Sequence, residues 1–285
     1  MKTGLLLEGG AMRGLYTAGA LDVFMEKELP VDGIVGVSAG ALFGMNYKSK
    51  QSGRVLRYNK KYANDKRYMG MHSLLTTGNI MNEEFCFHRL VNALDPVDFE
   101  TYRNSKEVFY AVVTNMETGR AEYHRLDDLE QPDQLEYLRA SGSMPFVSKP
   151  VVVHGKKYLD GGVADSIPIR QIMKMGYDKV IVILTRPENY RKKRSNQLAP
   201  QIVYRSYPKL VDAINHRYQN YNDSLDEILR LEKEGRIFVL RPSRQVSIRR
   251  IEKDLDKIQE MYELGRADAQ TKMTELEQYL QDPRS

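Results

Sequence analysis

The 285 residues hold one cysteine, Cys86, set between Phe85 and Phe87, so no disulfide can form within the chain. That excludes a disulfide scaffold and points to a reducing compartment. In such a setting Cys86 reads as a small buried apolar residue rather than a reactive thiol. Long apolar runs are missing as well. After Lys2 come only Leu5, Leu6 and Leu7 before Glu8, too short for the core of a signal peptide, and no stretch approaches the roughly 20 residues that cross a bilayer. A cytoplasmic protein is expected. The charge excess is also slight: a formal +5 and a pI near 9.0 favour anionic partners, with phospholipid surfaces and nucleic acid both admissible. Histidine is sparse at five residues, and His72, His88 and His124 carry no local signature of catalysis.

With 41% hydrophobic and 28% charged residues, the chain can bury a substantial core, and one large domain with an appendage fits its length. Its organising stretch is Asp32-Gly33-Ile34-Val35-Gly36-Val37-Ser38-Ala39-Gly40-Ala41, a short buried strand turning abruptly into a helix. Glycines two before and two after Ser38 allow a turn so tight that the hydroxyl stands clear of the sheet, the G-x-S-x-G nucleophile elbow. The helix from Ala39 directs its free N–H groups and positive dipole end at the serine. Upstream, Gly4 to Glu8 reads as a strand, followed by the loop Gly9-Gly10-Ala11-Met12-Arg13-Gly14 and a helix carrying Leu15, Ala18, Leu21, Phe24 and Met25. Such a loop presents backbone N–H groups to an anion, either a phosphate or the oxyanion of a tetrahedral intermediate. A dinucleotide fingerprint would need glycine where Ala11 stands and a carboxylate where Ser38 ends the next strand.

Residues 52–104 interleave Arg54, Arg57, Lys60, Lys61, Lys66 and Arg67 with Tyr58, Tyr62, Tyr68 and Met69; a solvated helical face is the first expectation, a lipid-facing lid the second. Val108 to Thr114 and Ala121 to His124 read as a hairpin, and Pro132 opens a helix through Arg139. Ala140 to Phe146 is a small-residue loop. Two short strands around His154-Gly155-Lys156 deliver Asp160-Gly161-Gly162 at a strand end, where functional residues gather in α/β sheets. A helix from Ile167 and a buried strand from Lys179 to Thr185 close the alternation near residue 187. Beyond it, Tyr190 to Arg194 reads as a charged surface loop, Tyr218 to Leu229 as an amphipathic helix and Ile237 to Leu240 as a lone strand. Ile248 to Leu280 reads as a long helix or a pair broken at Gly265.

An elbow serine needs a proton acceptor. His216, the only histidine after Asp160, sits in the polar stretch Asn215-His216-Arg217-Tyr218, a poor place for a triad base, and His154 falls in a turn. The remaining arrangement is a carboxylate acting directly on the serine, with Asp160 as base. Here Glu8-Gly9-Gly10-Ala11-Met12-Arg13-Gly14, Gly36-Val37-Ser38-Ala39-Gly40 and Asp160-Gly161-Gly162, in this order, resemble the bacterial patatin-like phospholipases. The similarity covers roughly residues 4–187, and Ala140 to Phe146 also looks like the family's segment before the aspartate strand.

The resemblance implies an α/β three-layer sandwich with a mostly parallel central sheet flanked by helices. Residues 1–187 would form the catalytic domain and 188–285 a mainly helical C-terminal region packed on it. It implies hydrolysis of fatty acyl esters by a Ser38/Asp160 dyad with Gly9, Gly10 and Ala11 as oxyanion hole. Arg13, Gly14, Gly36, Gly40, Gly161 and Gly162 complete the motifs; Arg13 would brace the loop or meet a phosphate. No metal and no cofactor is implied. The implied partners are a lipid or acyl-ester substrate and a peripheral contact with anionic membrane, and nucleic acid is not expected. Glu8 and Ala11 depart from the family's usual aspartate and glycine, although alanine keeps the backbone N–H that oxyanion binding uses. A non-catalytic lipid-binding or scaffold protein retaining the fold is the rival expectation.

Overall fold

The computed structural model describes residues 1–282. The elements run β1 (Thr3–Leu7), α1 (Leu15–Glu26), β2 (Gly33–Val37), α2 (Ala39–Lys48), α3 (Arg54–Tyr62), α4 (Met71–Thr77) and α5 (Phe99–Asn104). Next come β3 (Val108–Asn115), β4 (Ala121–Arg125), α6 (Pro132–Ser141), β5 (Val151–Val153), β6 (Lys156–Asp160), α7 (Ile169–Lys174) and β7 (Lys179–Ile183). The chain finishes with α8 (Leu198–Val203), α9 (Pro208–Lys233), β8 (Phe238–Leu240) and α10 (Leu255–Gln281). A π-helix, Glu84–Leu94, stands between α4 and α5.

The strands form one sheet in the order β5-β6-β3-β2-β1-β7-β8, with β4 also on β3. Pairing is parallel from β3 through β2, β1 and β7 to β8, and antiparallel where β4, β5 and β6 join. The central strands are apolar on both sides because both faces are covered. Leu5, Leu7, Ile34, Ile181 and Ile183 face a core shared with α1, α2 and α10. Their neighbours Leu6, Val35, Val37, Val180 and Val182 face a second core closed by α7 and α9. This is the expected three-layer arrangement.

In the C-terminal third one expectation changes, and of the two readings of the last helix the single helix holds, starting at Leu255 rather than Ile248. Ile237 to Leu240 is not a lone strand, since β8 pairs parallel with β7 and extends the sheet. Gly265 breaks nothing: α10 is continuous, and a Cβ at Gly265 would stand 2.0 Å from the Tyr16 carbonyl oxygen, as one at Gly19 would stand 2.1 Å from that of Tyr262. The glycine therefore lets α10 lie backbone against backbone on α1.

The placement of β6 decides the site. Val108 donates its N–H to the Asp32 carbonyl at the head of β2, and Met116 donates to Lys157 in β6. N–H groups an even number of residues apart leave a strand on the same edge. Asn115, of opposite parity, donates to Arg120 at the foot of β4. So β6 shares an edge of β3 with β2 and begins where β2 stops: Val37 pairs with Val112, and Asp160 with Val113.

Candidate active site

Ser38 occupies the turn between β2 and α2 with φ 54° and ψ −124°, a region that costs a residue with a Cβ about 1–3 kcal/mol. Its neighbours hold it there. The Ser38 N–H donates to Ser141 Oγ at 2.9 Å, and its carbonyl accepts from Ala41 and Leu42. Close approach explains the flanking glycines: a Cβ on Gly40 would lie 2.4 Å from the Leu7 carbonyl oxygen, and one on Gly36 would lie 2.6 Å from the Ala41 Cα. The serine hydroxyl is thereby aimed at the end of β6, where Ser38 Oγ donates to Asp160 Oδ2 at 2.6 Å.

Asp160 is held on every side. Its Oδ1 accepts from the Gly162 N–H at 2.7 Å, its N–H donates to the Ser143 carbonyl at 2.8 Å, and its carbonyl accepts from Thr114 Oγ1 at 2.8 Å. Gly161 is required because a Cβ there would meet the Val112 carbonyl oxygen at 2.2 Å. Burial pushes the Asp160 carboxyl above the ordinary carboxylate range. The Ser38 hydroxyl, the Arg217 guanidinium and the Gly162 N–H pull in the other direction. A carboxylate poised this way can take a proton and return it.

The glycine loop stands against the serine. A Cβ on Gly9 would be 2.7 Å from Ser38 Cβ, and one on Gly14 would be 2.9 Å from Ala39 Cβ. Ala11 has φ 51°. Among the described residues no hydrogen bond is made by the N–H groups of Gly9 or Gly10. At the base of the loop Glu8 is buried, with Oε2 accepting from Thr185 N at 2.6 Å and Oε1 from the Tyr221 hydroxyl at 2.7 Å.

Two cavities meet at Ser38, Ala11, Met144 and Arg250. One is apolar, walled by Phe43, Tyr58, Met69, Phe87, Leu90 and Ile251 among others. Its walls correct the expectation for residues 52–104. Tyr58, Tyr68 and Met69 turn inward, and Arg54 is buried with Nη1 2.7 Å from Asn46 Oδ1, while Arg57, Lys61, Lys66 and Arg67 face solvent. Cys86 lies in this wall, its thiol pushed up by burial. The other cavity, of about 270 Å³, is the more polar of the two and takes in Asp160, Arg13, Arg186, Lys192, Arg217 and Tyr221.

Several of these residues were missed in the sequence. Lys192 belongs to a stretch expected to be a surface loop, yet it turns over the Tyr221 ring at 4.3 Å. Arg217 neighbours the histidine considered as a base, but His216 points away to Asp212, and none of the five histidines lines either cavity. A signal for Arg217 existed: it falls in helical register with Ile214, Tyr221, Leu225 and Ile228, so it lies on the buried stripe of α9. Ser141 sits at the end of α6 and looked like any loop serine.

A model of the patatin-like phospholipase family matches residues 5–173, more than half of the chain, and the protein belongs to that family. Residues 207–281 match a domain of unknown function, DUF6363. The uncharacterized protein YjjU of Escherichia coli (strain K12) is 26% identical over 269 residues, spanning 92% of this chain and 74% of that protein. Lysophospholipase nte1 of Emericella nidulans is 27% identical over 197 residues, 63% of this chain but 12% of the longer protein. Among solved structures, VipD from Legionella pneumophila superposes with a TM-score of 0.48 at 14% identity, covering 95% of this chain and 66% of that one. Among the described residues no helix is long and apolar enough to cross a membrane.

Proposed function

We propose that the protein is a serine hydrolase that cleaves fatty acyl esters of phospholipids or lysophospholipids through Ser38 and Asp160. The observation that carries this reading is the 2.6 Å hydrogen bond between Ser38 Oγ and Asp160 Oδ2 at the junction of an apolar and a polar cavity. The acyl chain lies in the apolar cavity and the alcohol portion in the polar one, with the ester carbonyl at Ser38. Asp160 takes the hydroxyl proton as Oγ attacks the carbonyl carbon. N–H groups of Gly9, Gly10 and Ala11 receive the oxyanion, each contributing about 3 kcal/mol to the lowered barrier. Asp160 then gives the proton to the departing alcohol oxygen, leaving an acyl-serine. Water, deprotonated by the same carboxylate, attacks the acyl carbon; Asp160 then returns that proton to the departing Ser38 Oγ, and the fatty acid is freed.

Arg13, Gly14, Gly36, Gly40, Gly161 and Gly162 act by position in this scheme, and Arg217 keeps enough positive charge beside Asp160 for it to ionise. The catalytic core corresponds to residues 1–187, while the described residues of 188–285 finish the sheet and wall the polar cavity. The protein would work in the cytoplasm at an anionic membrane surface. On α8, Leu198, Ile202 and Val203 are 66%, 74% and 57% exposed, beside the basic Lys193 and Arg194. Phe146, which lines the polar cavity, packs on Tyr204 at the end of α8. This apolar and basic patch would meet the bilayer where substrate enters.

A fluorophosphonate probe tests the reading. An activated Ser38 is labelled and the Ser38→Ala variant is not; absence of label on the wild-type protein would leave a lipid-binding protein that keeps the fold without the chemistry.

A further inference from the structure

Five cationic side chains, Arg13, Arg186, Lys192, Arg217 and Arg250, converge on the polar cavity, and among the described residues none of them forms a salt bridge. The two carboxylates in the same wall are already committed. Glu8 accepts from Thr185 and Tyr221, and Asp160 from Ser38 and Gly162, so neither forms an ion pair with the cations; their two charges offset only part of the five, and Arg217 Nε donates to the Gly162 carbonyl. Arg13 Nε is buried without a hydrogen-bond partner. Elsewhere in the protein a buried arginine is matched: Arg54 contacts Asp95 and Asn46. An unmatched group of like charges is unfavourable unless an anion completes it.

We propose that this cavity holds the headgroup of the substrate, and that the headgroup is a phosphate monoester. The inference rests on the reading that an acyl ester is cleaved at Ser38. With the carbonyl at Ser38 and the chain in the apolar cavity, the alcohol side of the ester must enter the cationic one. A dianion with three terminal oxygens can receive several guanidinium forks together, whereas a choline or ethanolamine head would bring a positive charge into a wall already crowded with them. Arg186 and Lys192 are oriented for this by aromatic faces, Arg186 lying 4.4 Å from the centre of the Tyr190 ring and Lys192 4.3 Å from that of Tyr221. Burial and the neighbouring Arg217 bring Lys192 down to about 7, so near neutral pH it carries only part of its charge, and an anion placed beside it would restore the rest. Three of the five cations come from beyond residue 187, so the C-terminal region supplies headgroup selection to a core that supplies the nucleophile.

The test compares hydrolysis of micellar 1-acylglycerol 3-phosphate, 1-acylglycerophosphocholine and 1-acylglycerol, all with one acyl chain, by release of fatty acid. The phosphomonoester should be cleaved with a kcat/KM at least tenfold above the other two, and Arg186→Gln and Lys192→Gln should each narrow that ratio toward one. Equal rates on all three heads, or a ratio unmoved in both variants, would overturn the inference while leaving the hydrolase reading intact. If no ester is cleaved, that reading fails instead, and calorimetric titration decides the cavity separately. Glycerol 3-phosphate binding that weakens in Lys192→Gln supports it, and no binding overturns it. Inorganic phosphate in the same titration separates a free-anion site, which binds phosphate as tightly as glycerol phosphate, from a lipid headgroup site, which does not.

Discussion

The Tyr221 hydroxyl, on the long helix α9, donates to the Glu8 carboxylate at 2.7 Å, which fastens the C-terminal third of the chain to the base of the glycine loop. Glu8 also holds Thr185 at the end of β7, so one buried side chain ties together β1, β7 and α9. Through this contact Glu8 reaches α9, a helix outside the residues 5–173 that match the family model. Tyr221→Phe keeps the ring and removes the donor from a buried carboxylate. It should cost about 1–3 kcal/mol of stability, seen in chemical unfolding, and it should lower kcat by loosening the loop that faces Ser38.

Removing either member of the Ser38–Asp160 pair separates chemistry from folding. Ser38→Ala and Asp160→Asn should each reduce hydrolysis of a chromogenic fatty acyl ester by roughly 10⁴-fold or more, with thermal unfolding nearly unchanged. Turnover within tenfold of wild type in either variant would reject the pair as the catalytic unit.

The pH profile follows from the environment of Asp160. Burial holds its carboxyl above the ordinary value of 3.8, and as the proposed base it must be ionised, so activity should fall with decreasing pH at a point above that value. Arg217 works against burial, so Arg217→Gln should move the acid limb of kcat/KM to still higher pH. For stability the sign is opposite to that of a salt-bridged acid. A raised folded-state value means that the contribution is fully present below the unfolded value and is lost as pH rises through the folded one. Asp160→Asn should therefore melt at or above the wild-type temperature at pH 8, with the gain vanishing in acid.

Much of the candidate site was legible because it is local. A glycine whose Cβ would strike backbone atoms two or three ångströms away has no substitute, so Gly36, Gly40 and Gly161 announce the turns around Ser38 and Asp160 directly. The pairing of β3 with both β2 and β6 then converts a separation of 122 residues into contact. What the sequence concealed depends on tertiary packing. Lys192 looks like a surface cation because nothing nearby in sequence shows that the loop after β7 folds over the end of the sheet, and the helical register that puts Arg217 on the buried stripe of α9 does not say what that stripe packs against. The interleaved tyrosines of residues 52–104 fit a wet helix face or a cavity wall equally well until the π-helix Glu84–Leu94 is in place beside them.

Positive φ at Ala11 offers a milder test of the loop. At 51° an alanine is strained where glycine is not, so Ala11→Gly should be neutral to stabilising by up to about 1 kcal/mol, roughly 2–4 °C in melting temperature for a chain of this size. The backbone N–H is unchanged by the substitution. Hydrolysis should persist within a few-fold of wild type, and a loss above 100-fold would show that the Ala11 methyl itself shapes the reacting site.

The exposed apolar patch on α8 makes the last prediction. Leu198→Asp with Ile202→Asp removes two side chains whose insertion into a bilayer interface is worth about 1.5–3 kcal/mol each, so vesicle partitioning should weaken by at least tenfold. Neither residue lies in the protein's core, so chemical unfolding should keep its midpoint. Sedimentation with vesicles rich in anionic lipid reads the effect. Added salt should weaken wild-type binding further, through Lys193 and Arg194, because attraction of exposed cations to a charged surface decays over a Debye length of about 10 Å at 0.1 M. Partitioning that is indifferent to both the aspartates and the salt would place membrane contact on some other face.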